Sequence, residues 1–267
     1  MSLDRRKFLK LAGLTGIGLG LSATDIFLKN NAEASSGHSS VSTAAVRLAM
    51  VIDVSKFRTD EDYKRIIDAC HSIHNVPTLI PEKDNIRHEV KWIWNDIYDH
   101  TFPDQKNAYH PVSLKQKLFP LLCNHCDSPP CVRVCPTKAT FKRADGIVMQ
   151  DMHRCIGCRF CMAACPYGSR SFNWVDPRPY IQKRNPEYPT RTMGVVEKCT
   201  FCTERLAKGL EPACVESSNG AMVFGNLNDP DSEVRKILNT NFSLQRKPEL
   251  GTMPSVFYVL GGEEYAG

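Results

Sequence analysis

"CIGCRFCMAACP", residues 155–166, sets Cys155, Cys158, Cys161 and Cys165 at spacings of two, two and three residues and follows the last with Pro166. Three soft thiolates so close in sequence can be wrapped by one loop round a single centre, which is how a cubane iron–sulfur cluster is gripped. Gly157 permits the tight path, because glycine takes left-handed backbone without strain. The same design recurs upstream in "CNHCDSPPCVRVCP", residues 123–136, where Cys123, Cys126, Cys131 and Cys135 are spaced by two, four and three residues and followed by Pro136.

The fourth cysteine of such a run cannot reach the cube held by its own first three. It is expected to start a short helical turn leading away, which the following proline ends, and to serve the neighbouring cube. Exchange between the two runs makes Cys123, Cys126, Cys131 and Cys165 one ligand set, and Cys155, Cys158, Cys161 and Cys135 a second. Short strands at 146–150 (GIVMQ) and 170–174 (RSFNW) fit a small α+β unit around them.

A third stretch, "CTFCTERLAKGLEPACVESSNG" at 199–220, supplies Cys199, Cys202 and Cys214, then Ser218 and Asn219 where a fourth cysteine and a proline would stand. In a four-run layout its partner run would follow the strand expected at 46–54, "VRLAMVIDV". Only Cys70 survives there, near the end of an amphipathic helix expected over 60–74. The losses are complementary, so Cys70 completes a third set with Cys199, Cys202 and Cys214. The alternative reading makes Cys70 a small buried hydrophobe and leaves a three-thiolate site, with a [3Fe–4S] cluster or with Ser218 or water as the last ligand.

Eleven of the twelve cysteines in the 267-residue chain lie between Cys123 and Cys214, so cysteine chemistry organises that half. Their density argues against a scaffold of long disulfide cross-links. Three tetrahedral zinc sites are the rival use of twelve thiolates. No C-x-x-C-H occurs, which excludes c-type haem attachment. Removing residues 1–34 lowers the formal charge from +5 to +3, and three oxidised cubes at about −2 each would make the holoprotein acidic. The basic composition is therefore no argument for nucleic-acid binding. The sequence carries no nucleophile triad, phosphate loop or open metal site, so it reads as no enzyme by itself.

Residues 1–34, with Arg5-Arg6, a glycine-broken apolar run and Ala32-Glu33-Ala34, read as a twin-arginine export signal. Residues 35–45 form a linker, and 86–98 (IRHEVKWIWNDIY) read as a helix within a helical insertion at 81–117. Trp92 and Trp94 read as packing residues. His125, Arg154, Arg159 and Arg170 stand beside ligand cysteines and read as solvated surface groups, with tuning of cluster potential as the alternative.

This order of motifs resembles the four-cluster ferredoxin-like electron-transfer subunits of the NrfC/HybA/DmsB type, over roughly residues 44–260. The export signal, the degenerate first run, "CNHCDSPPCVRVCPTKATFKRADGIV" and the tail "PELGTMPSVFYVL" are most similar to DsrO-type subunits of the sulfite-reduction-linked DsrMKJOP membrane complexes. The resemblance implies an α+β fold of two pseudo-symmetric bacterial ferredoxin units. One would span 46–80 plus 190–228 and keep one cluster; the other, at 118–182, would hold two; residues 229–267 would be a C-terminal extension packed on the core. It implies three [4Fe–4S] clusters and a place at the periplasmic or extracytoplasmic face of the cytoplasmic membrane. The implied partners are a DsrP-like (NrfD-like) integral membrane subunit that handles quinone, a DsrJ-like multihaem cytochrome c, and DsrMK-like subunits. A subunit of a molybdopterin oxidoreductase or hydrogenase is the alternative.

Overall fold

The computed structural model describes residues 46–78 and 88–261. Residues 1–34, read as an export signal, the linker expected at 35–45, and residues 79–87 and 262–267 lie outside the described residues.

Strand Leu48–Asp53 is apolar on both faces, and both are used. Met50 and Ile52 enter the main core, whereas Ala49 and Val51 enter a smaller cluster with Val234 and Val259. A strand buried on both sides belongs inside a sheet. It pairs antiparallel with Met222–Asn226, Met50 opposite Phe224, and parallel with Val256–Val259, Met50 opposite Val256. Strand Ser243–Leu244 closes the far edge. The C-terminal extension thus contributes strands to the sheet, and its helix Glu233–Thr240 covers the outer face through Val234.

The helix expected at 60–74 runs from Asp60 to Ile73. At its start the N–H groups of Thr59 and Arg58 donate to the Asp62 carboxylate, which holds its pKa down at about 2. Tyr63, Ile66 and Cys70 recur at helical spacing and form its buried face. The helical period therefore carries Cys70 into the core.

The stretch 86–98 departs from the expected helix. Residues Ile93–Ile97 form a strand antiparallel to Leu118–Leu122, with Ile93 opposite Leu122, and only Tyr98–Thr101 turns helical. β-Branched and aromatic side chains suit a pleated, half-buried surface, and the partner strand satisfies the backbone. Fully buried Trp92 pins the entry to this strand by donating its indole N–H to Glu197 (2.7 Å). The described part of the insertion at 81–117 is accordingly a strand with two short α-helices, the second at Val112–Gln116, and a 3-10 turn at Pro103–Gln105 between them, and is not helical throughout.

The hairpin Thr140–Lys142/Val148–Gln150 and the antiparallel pair Ser171–Phe172/Val196–Glu197 flank the cysteine runs, with strands where 146–150 and 170–174 suggested them. Among the described residues no helix is long and apolar enough to cross a membrane.

Candidate metal centres

The first C-x-x-C loop of each run is turned by a left-handed residue just before its second cysteine: His125 (φ 41°), Gly157 (φ 69°) and Phe201 (φ 53°). At Gly157 a Cβ would lie 2.3 Å from the Gly194 carbonyl oxygen, so this position accepts only glycine. At the other two, left-handed backbone costs about 1–2 kcal/mol. The strained residues meet each other, with His125 and Phe201 stacked at 3.6 Å and 17° in the interior. That contact joins the 123–126 loop to the 199–202 loop.

The third cysteine of each run lies in a short helix: Cys131 in Pro130–Arg133, Cys161 in Phe160–Ala164 and Cys214 in Ala213–Glu216. The expectation that the fourth cysteine starts the turn is corrected, since the turn begins before the third and Cys165 caps its end. Pro166 forces the residue before it into extended backbone, and Cys165 has φ −81° and ψ 111°.

Cys123, Cys126, Cys131 and Cys165 line one space, together with Val148, Tyr167 and Arg170. Cys135, Cys155, Cys158 and Cys161 line another. These are the two sets with fourth cysteines exchanged. Cys70, Cys199, Cys202 and Cys214 are all buried, and the Cys70 thiol is within electrostatic reach of the other three. The Ser218 hydroxyl is engaged locally, donating to the Val215 carbonyl (2.7 Å) and accepting from the Met222 N–H (2.9 Å).

The surroundings fit anionic sulfur. Backbone N–H groups of Thr140, Val196, Phe201 and Ala213 point at the Sγ atoms of Cys135, Cys155, Cys199 and Cys202, at 3.4, 3.5, 3.4 and 3.4 Å. Burial pushes the Cys126 and Cys214 thiols up to about 12 and raises Cys70, Cys199 and Cys202 as well. Burial opposes ionisation of Cys135 too, but the N–H groups around it prevail and draw its pKa down. Thiols this deeply buried stay neutral on their own and give up their protons only to a bound metal. Sets of four soft donors round a shared space are suited to iron–sulfur cubes.

His125 and Arg170 are not the solvated groups their sequence positions suggested, being 0% and 5% exposed. Arg154 and Arg159 do lie at the surface, the latter over the ring of Trp174 at 4.7 Å. Burial, then the charges of Lys198 and Arg170, keep His125 far below the usual imidazole range, so it is neutral; its Nδ1 accepts from the Val148 N–H (3.1 Å). Two features escaped the sequence reading. Lys198 is wholly buried, although the motif shows it only as a residue flanking Cys199. Buried His74, one turn beyond Cys70, meets Glu204 at 2.8 Å beside Cys202. The spacing of Cys70 and His74 was the available signal for that contact.

Residues 114–180, which contain both complete runs, match the 4Fe-4S dicluster domain family. The chain is 44% identical to the Hdr-like menaquinol oxidoreductase iron-sulfur subunit 1 of Archaeoglobus fulgidus, over 98% of this chain and 100% of that protein. It is 36% identical to the arsenate respiratory reductase iron-sulfur subunit ArrB of a Shewanella species, over 80% of this chain and 96% of the relative. To NrfC of Escherichia coli it is 36% identical, over 72% and 73% of the two chains.

Proposed function

Because the chain belongs to the NrfC/HybA/DmsB-type family of ferredoxin-like iron–sulfur electron-transfer subunits, we propose that it conducts electrons through three [4Fe–4S] clusters. It does so as an exported subunit at the periplasmic face of a membrane complex. The observation that carries this reading is the sharing of two spaces by four cysteines each, every set drawing its fourth member from the other run. Such clusters, when bound, cycle between 2+ and 1+ states and supply one-electron chemistry. The protein's own part is to hold the thiolates, direct N–H groups at sulfur and keep water away from the third set.

The quinone side of the proposal is supported by the Archaeoglobus relative, whose name makes it a subunit of a menaquinol oxidoreductase. We assign the role of quinone-handling partner to an NrfD-like, DsrP-like membrane subunit. A DsrJ-like multihaem cytochrome c is the redox partner, in a DsrO-type setting with DsrMK-like subunits and linked to sulfite reduction. A second reading is a subunit of a molybdopterin oxidoreductase or hydrogenase; the match to ArrB along nearly all of that relative supports a place in a respiratory reductase.

Anaerobically purified protein should hold four irons for each four-cysteine set, absorb broadly in the visible and bleach on reduction. Stoichiometric zinc without visible colour would sink the conductor. The complex isolated from native membranes separates the two readings: an NrfD-like protein and c-type haem supports the first, and a molybdopterin subunit the second.

A further inference from the structure

Three cations lie in the interior without a carboxylate partner among the described residues: Arg170 and Arg246, each 5% exposed, and Lys198, 0% exposed. Arg246 donates to the Thr101 carbonyl (3.2 Å) and lies over the ring of Tyr167 (5.4 Å), whereas Arg170 and Lys198 each touch residues of two cysteine sets. Buried Arg191, by contrast, has Glu197 at 2.5 Å. An unpaired charge in the interior is costly unless something supplies the opposite sign.

Arg170 Nη1 donates to Thr140 Oγ1 (3.2 Å) and Gln150 Oε1 (2.9 Å), while Nη2 is buried with no hydrogen-bond partner. Thr140 and Gln150 line the space of Cys135, Cys155, Cys158 and Cys161, whereas Arg170 itself lines the space of Cys123, Cys126, Cys131 and Cys165. Its charge is felt by Cys131 and Cys123 of one set and by Cys161 of the other. The guanidinium therefore stands in the wall between the two spaces.

Lys198 occupies the next wall. Its Nζ donates to the carbonyls of Val148 and Cys199. Val148 lines the space of the Cys123 set, and Cys199 belongs to the Cys70 set. These two sets adjoin, since the Cys123 and Cys199 thiols interact.

We propose that Arg170 and Lys198 are potential-setting residues, each fixing one positive charge in a wall between two clusters and so making both neighbours easier to reduce. The inference rests on the three-cluster reading. Reduction adds one negative charge to a cube, and a buried cation nearby favours the reduced form. It also offsets the repulsion between two reduced neighbours. The Cys123 set borders both walls and feels both charges.

Potentiometric titration of the iron-loaded protein, with dithionite as reductant and EPR detection, tests this. Arg170→Gln should lower the midpoints of the clusters in the Cys123 and Cys135 sets and leave the Cys70 set in place. The expected fall is tenfold in the reduction equilibrium constant, about 59 mV for one electron. Arg170→Lys should recover most of it. Gln150→Glu keeps the arginine but neutralises it with a carboxylate of the same shape, so it should lower the same two midpoints even if Arg170→Gln fails to hold iron. Lys198→Met should lower the Cys70 and Cys123 sets alone; if it loses iron instead, retention of iron by Lys198→Arg supports the charge requirement, and loss in both overturns it at that wall. Loaded variants with unmoved midpoints, or with all three clusters shifted alike, overturn the proposal. Wild-type protein without iron, or with clusters that cannot be reduced, would instead defeat the conductor reading on which it rests.

Discussion

Cys70 sits on the buried face of the helix Asp60–Ile73, far in sequence from the three cysteines whose charges it feels. Cys70→Ala should leave the fourth iron of that site without its thiolate. A [3Fe–4S] signal should then appear on oxidation while the other two clusters persist, and unchanged iron content and EPR would make Cys70 a bystander. The mutant should also lose stability beyond the ~1 kcal/mol typical of a point substitution, because a metal bridge would tie this helix to Cys199 and Cys214. Cys165 tests the exchange from the other side. Cys165→Ala should damage the cluster of Cys123, Cys126 and Cys131 and spare the one held by the first three cysteines of its own run. The reverse spectroscopic pattern would disprove the exchange. Spacing made these cysteine groupings legible. It could not reveal the burial of His125, Arg170 and Lys198, because a charged or polar residue beside a cysteine looks the same in sequence whether its side chain turns to water or to the core.

Among the elements, the strand Ile93–Ile97 shows where local pattern fails. Its residues read equally well as a short amphipathic helix, and the partner strand Leu118–Leu122 settles the matter by taking up its backbone hydrogen bonds. Trp92 anchors this element to Glu197, which also receives Asn173 Nδ2 and pairs with Arg191. Trp92→Phe keeps the ring packing but leaves a buried carboxylate one donor short, which costs about 1–3 kcal/mol. A melting temperature lowered by a few degrees with iron content intact is the expected result, measured by calorimetry on the loaded protein. An unchanged melting temperature would show that Glu197 is satisfied without the indole. The helix Asp60–Ile73 was readable in advance because it carries a long helical period, and the strand Leu48–Asp53 because it is a short continuous apolar run of strand length.

For the whole molecule, the main core already contains cysteines proposed as ligands of the third cluster, Cys70, Cys199 and Cys214, packed with Phe201, Met222 and Tyr258. Removal of iron by a chelator under reducing conditions should therefore loosen more than the loops. Hydrogen exchange should rise across residues 123–218, while strands Leu48–Asp53 and Val256–Val259, paired directly to each other, keep most of their protection. Equal loss of protection in that sheet would mean that metal and sheet form one cooperative unit. By itself the sequence determined the cysteine runs, the grouping of Cys165 with Cys123, Cys126 and Cys131 and of Cys135 with Cys155, Cys158 and Cys161 round shared spaces, and the α+β character, since all of these follow from short-range spacing and period. Only the tertiary structure decided that 93–97 is a strand, that the last described strand lies parallel beside the first described strand, and that buried cations stand between neighbouring cysteine sets. Those features depend on which distant segment supplies a backbone partner or excludes water, and no local pattern of residues carries that information.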